Sequence, residues 1–206
     1  MSYNKYGLSY QGCKSALADD LLSVLPDAEN FYDLFAGGCS MTHAAILSGK
    51  YKNVYTNDVK DMPLVFKAAV EGFDYEKYVR PVSKEEFNTT DDYLLKYIFS
   101  FSTNFKDYVF SDKNKKLYDI LIKFVKNPLD NVKKLKGEGS TGATEPLSNI
   151  NKLKHRFNCI DSSKLNITKL DYKDVVIKPD SVVYCDIPYQ GKLILIIKSF
   201  MNGLKK

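Results

Sequence analysis

FYDLFAGGCS, residues 31–40, is the stretch that decides the fold of this 206-residue chain. Its apolar first half predicts a buried β-strand, and the pair Gly37-Gly38 predicts the point at which that strand stops. Ser40 is expected to cap a following helix that includes Met41 to Leu47. The stretch therefore predicts a strand, a glycine turn and a helix in direct succession.

Flanking segments extend this unit in both directions. Upstream, the leucine spacing of residues 13–25 predicts a helix. Downstream, NVYTN at 53–57 predicts a second strand that ends beside Asp58, and residues 62–72 predict another helix. This β-α-β-α order predicts a parallel sheet covered by helices.

The pattern is interrupted in the middle of the chain. Residues 75–165 are rich in Lys, Asn, Tyr and Phe and predict mixed short helices and loops, with a flexible loop at 135–146. Strands are predicted again at 166–170 and 181–185. We therefore expect one α/β domain with an insertion between its second and third strands.

Positive charge is concentrated in that insertion. The chain has a net charge of +5, but the segment from Lys106 to Arg156 alone has a net charge of +6. Such a block is suited to binding phosphates. A solvated, lysine-rich helical face would explain the same pattern equally well.

Composition disfavours several other classes of protein. The chain has no apolar run long enough to span a membrane, and its N-terminus lacks the pattern of a signal peptide. None of the four cysteines has C-x-x-C spacing, and His43 and His155 are far apart, which disfavours a zinc site. We expect a protein of the reducing cytoplasm that needs no metal.

Polar groups follow three of the predicted strands, where open α/β sheets bind ligands. The first set is Asp33-Leu34-Phe35-Ala36-Gly37-Gly38, whose glycines let a ligand approach the backbone. Asp58 follows Gly38 by 20 residues, the spacing of an acidic residue that binds ribose hydroxyls. Asp171-Tyr172 suits an adenine amino group and ring face. Taken singly, each set has a simpler structural explanation. The glycines would form a tight turn, Asp58 would cap a helix, and Asp171-Tyr172 would lie in a solvated turn.

The last predicted strand ends in the sharpest motif. Residues 182–189 read VVYCDIPY, an apolar strand followed by Asp186-Ile187-Pro188-Tyr189. A carboxylate, a turn fixed by proline and an aromatic ring at a strand tip can together hold a planar base that bears an amino group.

These motifs resemble a known family. DIPY is similar to the D-P-P-Y motif of amino-methyltransferases, and DLFAGGCS resembles their first, cofactor-binding motif. Tyr10-Gln11-Gly12-Cys13-Lys14-Ser15 resembles the segment that holds the methionine end of the cofactor in Dam-like DNA adenine methyltransferases. Asn57-Asp58 and Leu170-Asp171-Tyr172 fall where that family has its ribose and adenine contacts. The resemblance covers residues 1–192, and phage and prophage members look closest.

The resemblance implies a fold, an activity and a partner. The fold would be a Rossmann-like S-adenosylmethionine-dependent methyltransferase sheet with a basic, mainly helical insertion. Residues 1–74 and 166–206 would form the catalytic domain, and residues 75–165 the target-recognition insert. The activity would be site-specific methylation of adenine N6 in double-stranded DNA, within restriction-modification or alone. The oligomeric state is left open.

The resemblance also implies residue roles. The Asp186 carboxylate and the Ile187 carbonyl would accept the two N–H groups of the target amine, and Tyr189, after Pro188, would stack on the flipped adenine. The cofactor would contact Tyr10, Lys14, Asp33, Phe35, Ala36, Gly37, Gly38, Asp58, Asp171, Tyr172 and Asp186. The DNA phosphates would contact Lys106, Lys113, Lys115, Lys116, Lys152, Lys154 and Arg156.

The sequence departs from the family in three places. Ile187 replaces the first proline of the motif, and Cys39 replaces a frequent glycine, which is expected to crowd the turn slightly. Only 17 residues follow Tyr189, fewer than the resemblance implies. A reading-frame shift near Gly191-Lys192 is our hypothesis for this ending, which predicts a catalytic domain incomplete at its C-terminus. The strand at 181–185 would then have an unpaired apolar edge.

Other functions remain as alternatives at this stage. The chain could be a truncated, inactive remnant that binds DNA or cofactor weakly, or an enzyme that methylates an amino group in RNA or protein. The basic insertion favours DNA. A nicotinamide-dependent dehydrogenase is disfavoured because the full G-x-G-x-x-G motif is absent.

Overall fold

A computed structural model describes residues 5–9, 12–137, 142–157, 160–187 and 194–199 of the chain, with only the backbone at 135–137 and 194–199. The chain divides into two compact units. One comprises Met1–Val70 and Cys159–Lys206, and the other comprises Glu71–Asn158.

A single sheet organises the first unit. Among the described residues its strands are β1 (Asn30–Asp33), β2 (Asn53–Asn57), β3 (Leu165–Thr168), β4 (Ser181–Asp186) and β5 (Ile194–Ser199). They lie in the order β3-β2-β1-β4-β5. The first four are parallel to one another, and β5 runs antiparallel to β4. The parallel α/β sheet predicted from the sequence is therefore confirmed.

The two central strands are apolar because both of their faces are covered. Side chains alternate between the faces along each strand. On one face Tyr32 and Val183 pack in a single apolar cluster. On the other, the Phe31 ring lies 5.0 Å from that of Tyr51 and 6.4 Å from that of Tyr184, measured between centroids. This packing fixes the ends of β1 and β4 side by side.

Helices accompany the strands as the sequence predicts, with one shorter than expected. The helices are α1 (Ala18–Val24), α2 (Ser40–Ser48) and α3 (Met62–Glu71). The helix predicted at 13–25 thus begins only at Ala18, after Leu17 as N-cap. No described helix is long and apolar enough to cross a membrane.

The prediction that Ser40 caps α2 is wrong. The N-cap is Cys39, in the left-handed region at φ 59°, and its side chain accepts no capping hydrogen bond. Ser40 is the first helical residue, and its hydroxyl donates to the Tyr6 carbonyl oxygen at 3.4 Å. The glycine turn delivers the chain to the helix in a left-handed conformation, so no residue occupies the extended geometry that a serine cap needs.

The prediction of an unpaired edge on the last predicted strand is also wrong. β4 pairs with β1 on one side and with β5 on the other, in a register that runs from Ser181↔Ser199 to Asp186↔Ile194. The extended backbone of β5 therefore satisfies the N–H and C=O groups that an edge strand would leave open.

The second unit is helical. Its helices are α4 (Lys84–Thr89), α5 (Tyr93–Ile98), α6 (Asp112–Phe124), α7 (Val132–Gly137) and α8 (Glu145–Arg156), with short 3-10 turns at Glu76–Tyr78 and Phe101–Thr103. Aromatic rings fill its core, with Phe99 in edge contact with Tyr118 at 5.9 Å between centroids. The mainly helical insertion is confirmed. The loop predicted at 135–146 is shorter, because α7 reaches Gly137 and α8 begins at Glu145; residues 138–141 lie outside the described residues.

Candidate active site

The strand order determines where a ligand can bind. The connections from β1 lead to β2 and β3 on one side of the sheet, whereas β4 lies on the other side of β1. Such a reversal opens a crevice beyond the carboxyl ends of the two central strands. The polar groups singled out after β1, β2, β3 and β4 follow these carboxyl ends, so the parallel sheet gathers them along one edge.

The glycine turn after β1 is bonded to the end of β2. The Gly37 N–H donates to Asp58 Oδ2 at 2.8 Å, and the Ala36 N–H donates to the Asn57 carbonyl at 3.0 Å. Asp58 Oδ1 accepts from the Lys60 N–H at 3.0 Å. The turn and the acidic residue that the sequence placed 20 positions apart are thus direct partners.

Asn57 joins three strand ends, a role that sequence reasoning missed. Its side-chain amide donates to the carbonyls of Leu34 and Leu170, and its oxygen accepts from the Leu170 N–H and the Thr168 hydroxyl. The side chain is buried. Asn57 therefore fixes the start of the Asp171-Tyr172 segment relative to the glycine turn. In the sequence, its position next to Asp58 is the one feature that indicates a role at the site.

Asp33 is a buried carboxyl at the end of β1. Its Oδ2 accepts from the Thr42 N–H at 3.2 Å and from the Thr42 hydroxyl at 2.8 Å, and that hydroxyl lies 3.1 Å from the Thr56 hydroxyl. Burial raises the pKa of Asp33 from 3.8 to about 7, against the lowering effect of the Thr42 bonds. Asp33 Oδ1 has no hydrogen-bond partner within the described part of the chain.

Lys14 forms an ion pair with Asp186. The ammonium group contacts Asp186 Oδ2 and also donates to the Gly12 carbonyl at 3.1 Å. About a quarter of each side chain is exposed, 26% for Lys14 and 24% for Asp186, so water only partly screens the pair. The segment before α1 is therefore tied to the end of β4.

Two aromatic rings follow the ends of β1 and β3. Phe35 and Tyr172 lie 5.2 Å apart between centroids, and the Tyr172 side chain is exposed. Asp171 caps the short turn Tyr172–Asp174 by accepting from the Lys173 N–H at 3.0 Å. Ile187 packs against the apolar cluster beneath β1 and β4.

Three of the predicted site residues fall outside the described residues. They are Tyr10, in the N-terminal segment, and Pro188 and Tyr189, which complete the DIPY motif. Their proposed roles rest on the sequence alone.

Gly7 is a further residue that the sequence did not single out. Its φ is +63°, its N–H donates to His43 Nδ1 at 3.0 Å, and the next N–H, of Leu8, donates to the Gly38 carbonyl at 2.6 Å. A Cβ at this position would lie 2.4 Å from the Gly38 carbonyl oxygen. The N-terminal segment therefore lies directly on the glycine turn, where only a residue without a side chain fits.

Replacing Gly7 by alanine is expected to destabilise the protein by about 2–4 kcal/mol, because backbone atoms at the turn must move. Weaker S-adenosylmethionine binding should accompany the loss. Gly49→Ala is the matched control, since Gly49 has φ +67° but open space around its Cβ position; only the backbone strain of roughly 1 kcal/mol applies there. Urea unfolding and calorimetric titration measure both effects, and equal losses in the two variants would contradict the packing argument.

The predicted phosphate contacts are distributed over the helical unit. Lys106 lies in an exposed loop, Lys113, Lys115 and Lys116 lie on α6, and Lys152, Lys154 and Arg156 lie on α8. Some of these charges already have partners within the protein and are less available to DNA phosphates. Lys115 pairs with Asp119 one turn along α6, and the Lys154 ammonium lies 3.8 Å from the centroid of the Tyr75 ring.

The loop that contains Lys106 has an unusual backbone. Ser102, Thr103 and Phe105 all have positive φ values, of 49°, 56° and 64°, although none is glycine. The bridge between Ser100 and Tyr108 closes the loop. Backbone strain of this kind concentrates at functional segments.

A known family model matches most of the chain. The family model of the D12 class N6 adenine-specific DNA methyltransferases matches residues 10–194. The matched stretch includes the carboxyl ends of β1 to β4 and the whole helical unit. A search of curated proteins gives no match.

Proposed function

The chain belongs to the D12 class of N6 adenine-specific DNA methyltransferases, and we propose that its Asp186 carries the chemical step. The reaction of the family moves a methyl group from S-adenosylmethionine to N6 of adenine in DNA. The observation that supports the assignment is the adjacency of the β1 and β4 ends, which hold the glycine turn and Asp186 on the two sides of the switch in strand order.

The strand-end groups fit S-adenosylmethionine. Each Asp58 oxygen accepts one backbone N–H, which leaves lone pairs for the ribose hydroxyls. Phe35 and Tyr172 offer ring faces to the adenine, and Lys14 offers a cation to the carboxylate. Asp33, the last residue of β1, is bonded through Oδ2 to Thr42 on α2 and so fixes the strand end that precedes the glycine turn. When bound, the cofactor supplies an electrophilic methyl group on its sulfonium.

Asp186 activates the amine. The lone pair of an exocyclic adenine amine is delocalised into the ring, so the nitrogen is a poor nucleophile. The Asp186 carboxylate accepts one N–H and the Ile187 carbonyl accepts the other, which localises the lone pair on nitrogen. Because Lys14 contacts Oδ2, the Oδ1 atom of Asp186 is the one that faces the substrate. The remaining rate enhancement comes from positioning.

The replacement of the first motif proline by Ile187 is compatible with this role. The reaction needs the backbone carbonyl at that position, which any residue has. The Ile187 side chain packs against Tyr32, Leu34, Val183 and Cys185, so apolar contacts hold the backbone where the proline ring would have restricted it. The second proline of the motif is retained as Pro188, and we assign to Tyr189 the stacking on the flipped adenine.

The helical unit, close to the target-recognition insert proposed at 75–165, binds double-stranded DNA through phosphate contacts. The supporting feature is its excess of positive charge between Lys106 and Arg156. We also propose that the protein acts in a phage or in a restriction-modification system, with which the proteins it resembles are associated.

The molecule that receives a tritium-labelled methyl group distinguishes DNA, RNA and protein methylation from an inactive remnant. Purified protein is incubated with tritiated S-adenosylmethionine and, in parallel, duplex DNA, RNA and a protein mixture, and the products are hydrolysed and chromatographed. We expect label in N6-methyladenine from DNA. Label in RNA or protein instead would reject DNA as the substrate of this chain, and absence of label with intact cofactor binding would support an inactive remnant.

Substitutions on α6 test the phosphate surface. Replacing Lys113 and Lys116 together by alanine is expected to weaken duplex binding and to flatten the dependence of log K on log salt by about 0.9 for each lost contact. Lys84→Ala is the matched control, because Lys84 is an exposed lysine on α4 that lies outside the basic stretch from Lys106 to Arg156. Fluorescence anisotropy across a salt series measures the slopes. Identical slopes for wild type and the double variant would exclude this face of α6 from the interface.

A further inference from the structure

Two buried polar atoms near the active site have no hydrogen-bond partner among the described residues. They are the Tyr184 hydroxyl on β4 and Asp33 Oδ1 on β1, and neither has a hydrogen bond within the part of the chain that the structure describes. Each residue is only 1% exposed. Buried polar atoms are almost always satisfied in native proteins, and each one left unsatisfied lowers the stability of the fold. The pair therefore requires an explanation.

The two residues are neighbours across the sheet. Asp33 and Tyr184 are aligned partners in the parallel pairing of β1 with β4. Aligned residues on adjacent strands point to the same face, and the opposite face holds the cluster around Tyr32 and Val183. The charges of Asp186 and Asp33 both add to the effect of burial in raising the pKa of Tyr184. The phenol therefore lies within electrostatic reach of both carboxyl groups.

Water has the hydrogen-bonding chemistry that both atoms need. Water donates to a carboxylate oxygen with one hydrogen and accepts the phenol hydrogen on its own oxygen, so the same molecule meets both needs. Buried waters occupy polar sites of this type, at about one for every 27 residues in globular proteins. Water also suits either protonation state of Asp33, because it can donate to the carboxylate or accept from the carboxylic acid.

We propose that a buried water bridges the Tyr184 hydroxyl to Asp33 Oδ1, and that through this bridge Tyr184 is a positioning residue for Asp186. Asp33 is the last residue of β1, four positions before Gly37, and Tyr184 lies two residues before Asp186 on β4. The bridge thus joins the cofactor side of the crevice to the catalytic side. The positioning role rests on the proposed function, whereas the water site does not.

Tyr184→Phe tests the site by the sign of a stability change. With the bridge present, loss of the hydroxyl removes hydrogen bonds, and the equilibrium constant for unfolding rises about fivefold. Without it, the variant removes an uncompensated polar group and the protein becomes more stable. Tyr51→Phe is the matched control, since the Tyr51 hydroxyl donates to the Pro26 carbonyl at 3.2 Å and its ring packs on the same Phe31; it sets the scale for one lost hydrogen bond.

Unfolding in urea is measured first without S-adenosylmethionine. Stabilisation by Tyr184→Phe overturns the water site. Destabilisation that appears only with the cofactor also overturns it and identifies the cofactor ammonium group as the donor. These measurements do not depend on catalysis, so they remain readable if the proposed function fails.

Kinetics then test the positioning role. We expect Tyr184→Phe to lower kcat about fivefold, because a slightly misplaced carboxylate reacts more slowly, while KM for S-adenosylmethionine stays within about twofold. Tyr51→Phe should leave both constants unchanged. An unchanged kcat in Tyr184→Phe overturns the positioning role.

Discussion

Replacing Asp186 by alanine is expected to lower kcat for methyl transfer to DNA by at least about 100-fold, the usual cost of losing one group that stabilises a transition state. In the proposed mechanism the carboxylate has no substitute, because the Ile187 carbonyl would accept only one of the two amine hydrogens. Tritium transfer to duplex DNA under saturating S-adenosylmethionine measures the loss. Calorimetric titration with the cofactor and urea unfolding show whether the variant still folds and binds.

The control for this experiment is Asp27→Asn. Asp27 has a side chain that is 90% exposed, and its one ion pair, with Lys50, is 3.4 Å long. Its removal should leave kcat unchanged. Asp186→Asn adds a second comparison, since its amide retains an acceptor oxygen but no charge, and we expect activity between the wild type and alanine. Wild-type rates in a folded Asp186→Ala protein would remove Asp186 from the chemical step.

Replacing Asp33 by asparagine is expected to stabilise the protein much more at pH 8 than at pH 5. Burial raises the pKa of Asp33 from 3.8 to about 7, so the folded state holds this proton more tightly than the unfolded state. The resulting stabilisation is present in full below about pH 4 and is lost as the pH rises through 7. Asparagine resembles the protonated acid and has no such loss. The stability that Asp33→Asn gains over the wild type should therefore be about 2–3 kcal/mol larger at pH 8 than at pH 5, at roughly 1.4 kcal/mol per pH unit.

Urea unfolding of both proteins at several pH values measures this effect. Asp92 changes stability in the opposite sense, because its pKa is lowered, but it does so equally in wild type and variant and cancels in the comparison. Asp27→Asn, at an exposed carboxylate, should follow the wild type throughout. A gain for Asp33→Asn that is the same at pH 5 and pH 8 would show that Asp33 is ionised across this range and that its burial costs nothing.

The sequence predicts the strands and the groups at their ends well, for a physical reason. Short apolar runs that stop at glycine or aspartate are local signals, and parallel strands necessarily gather their carboxyl ends at one edge. The sequence alone therefore predicts that Asp33, Asp58 and Asp186 lie along the same edge of the sheet. Their roles in binding and catalysis stay predictions.

What the sequence could not predict depends on contacts between distant segments. Asn57 has four hydrogen bonds to residues up to 113 positions away, and Gly7 is required only because the glycine turn packs against it. Ser40 has the right chemistry for a cap, but the backbone of Cys39 before it excludes that geometry. The pairing of β5 with β4 likewise follows from an open strand edge, which has no local sequence signature.

The position of the helical unit within the chain also sets the order of folding. β1 and β2 pair across a short connection, whereas β1 meets β4 only when residues as distant as Asn30 and Ser181 come together. Closing such a long loop is entropically costly, and pairings of high sequence separation form slowly. The helical unit, which is continuous in sequence, can fold from local contacts in the meantime. During synthesis the glycine turn therefore emerges long before the strand that brings Asp186 beside it, and the catalytic edge of the sheet is completed last.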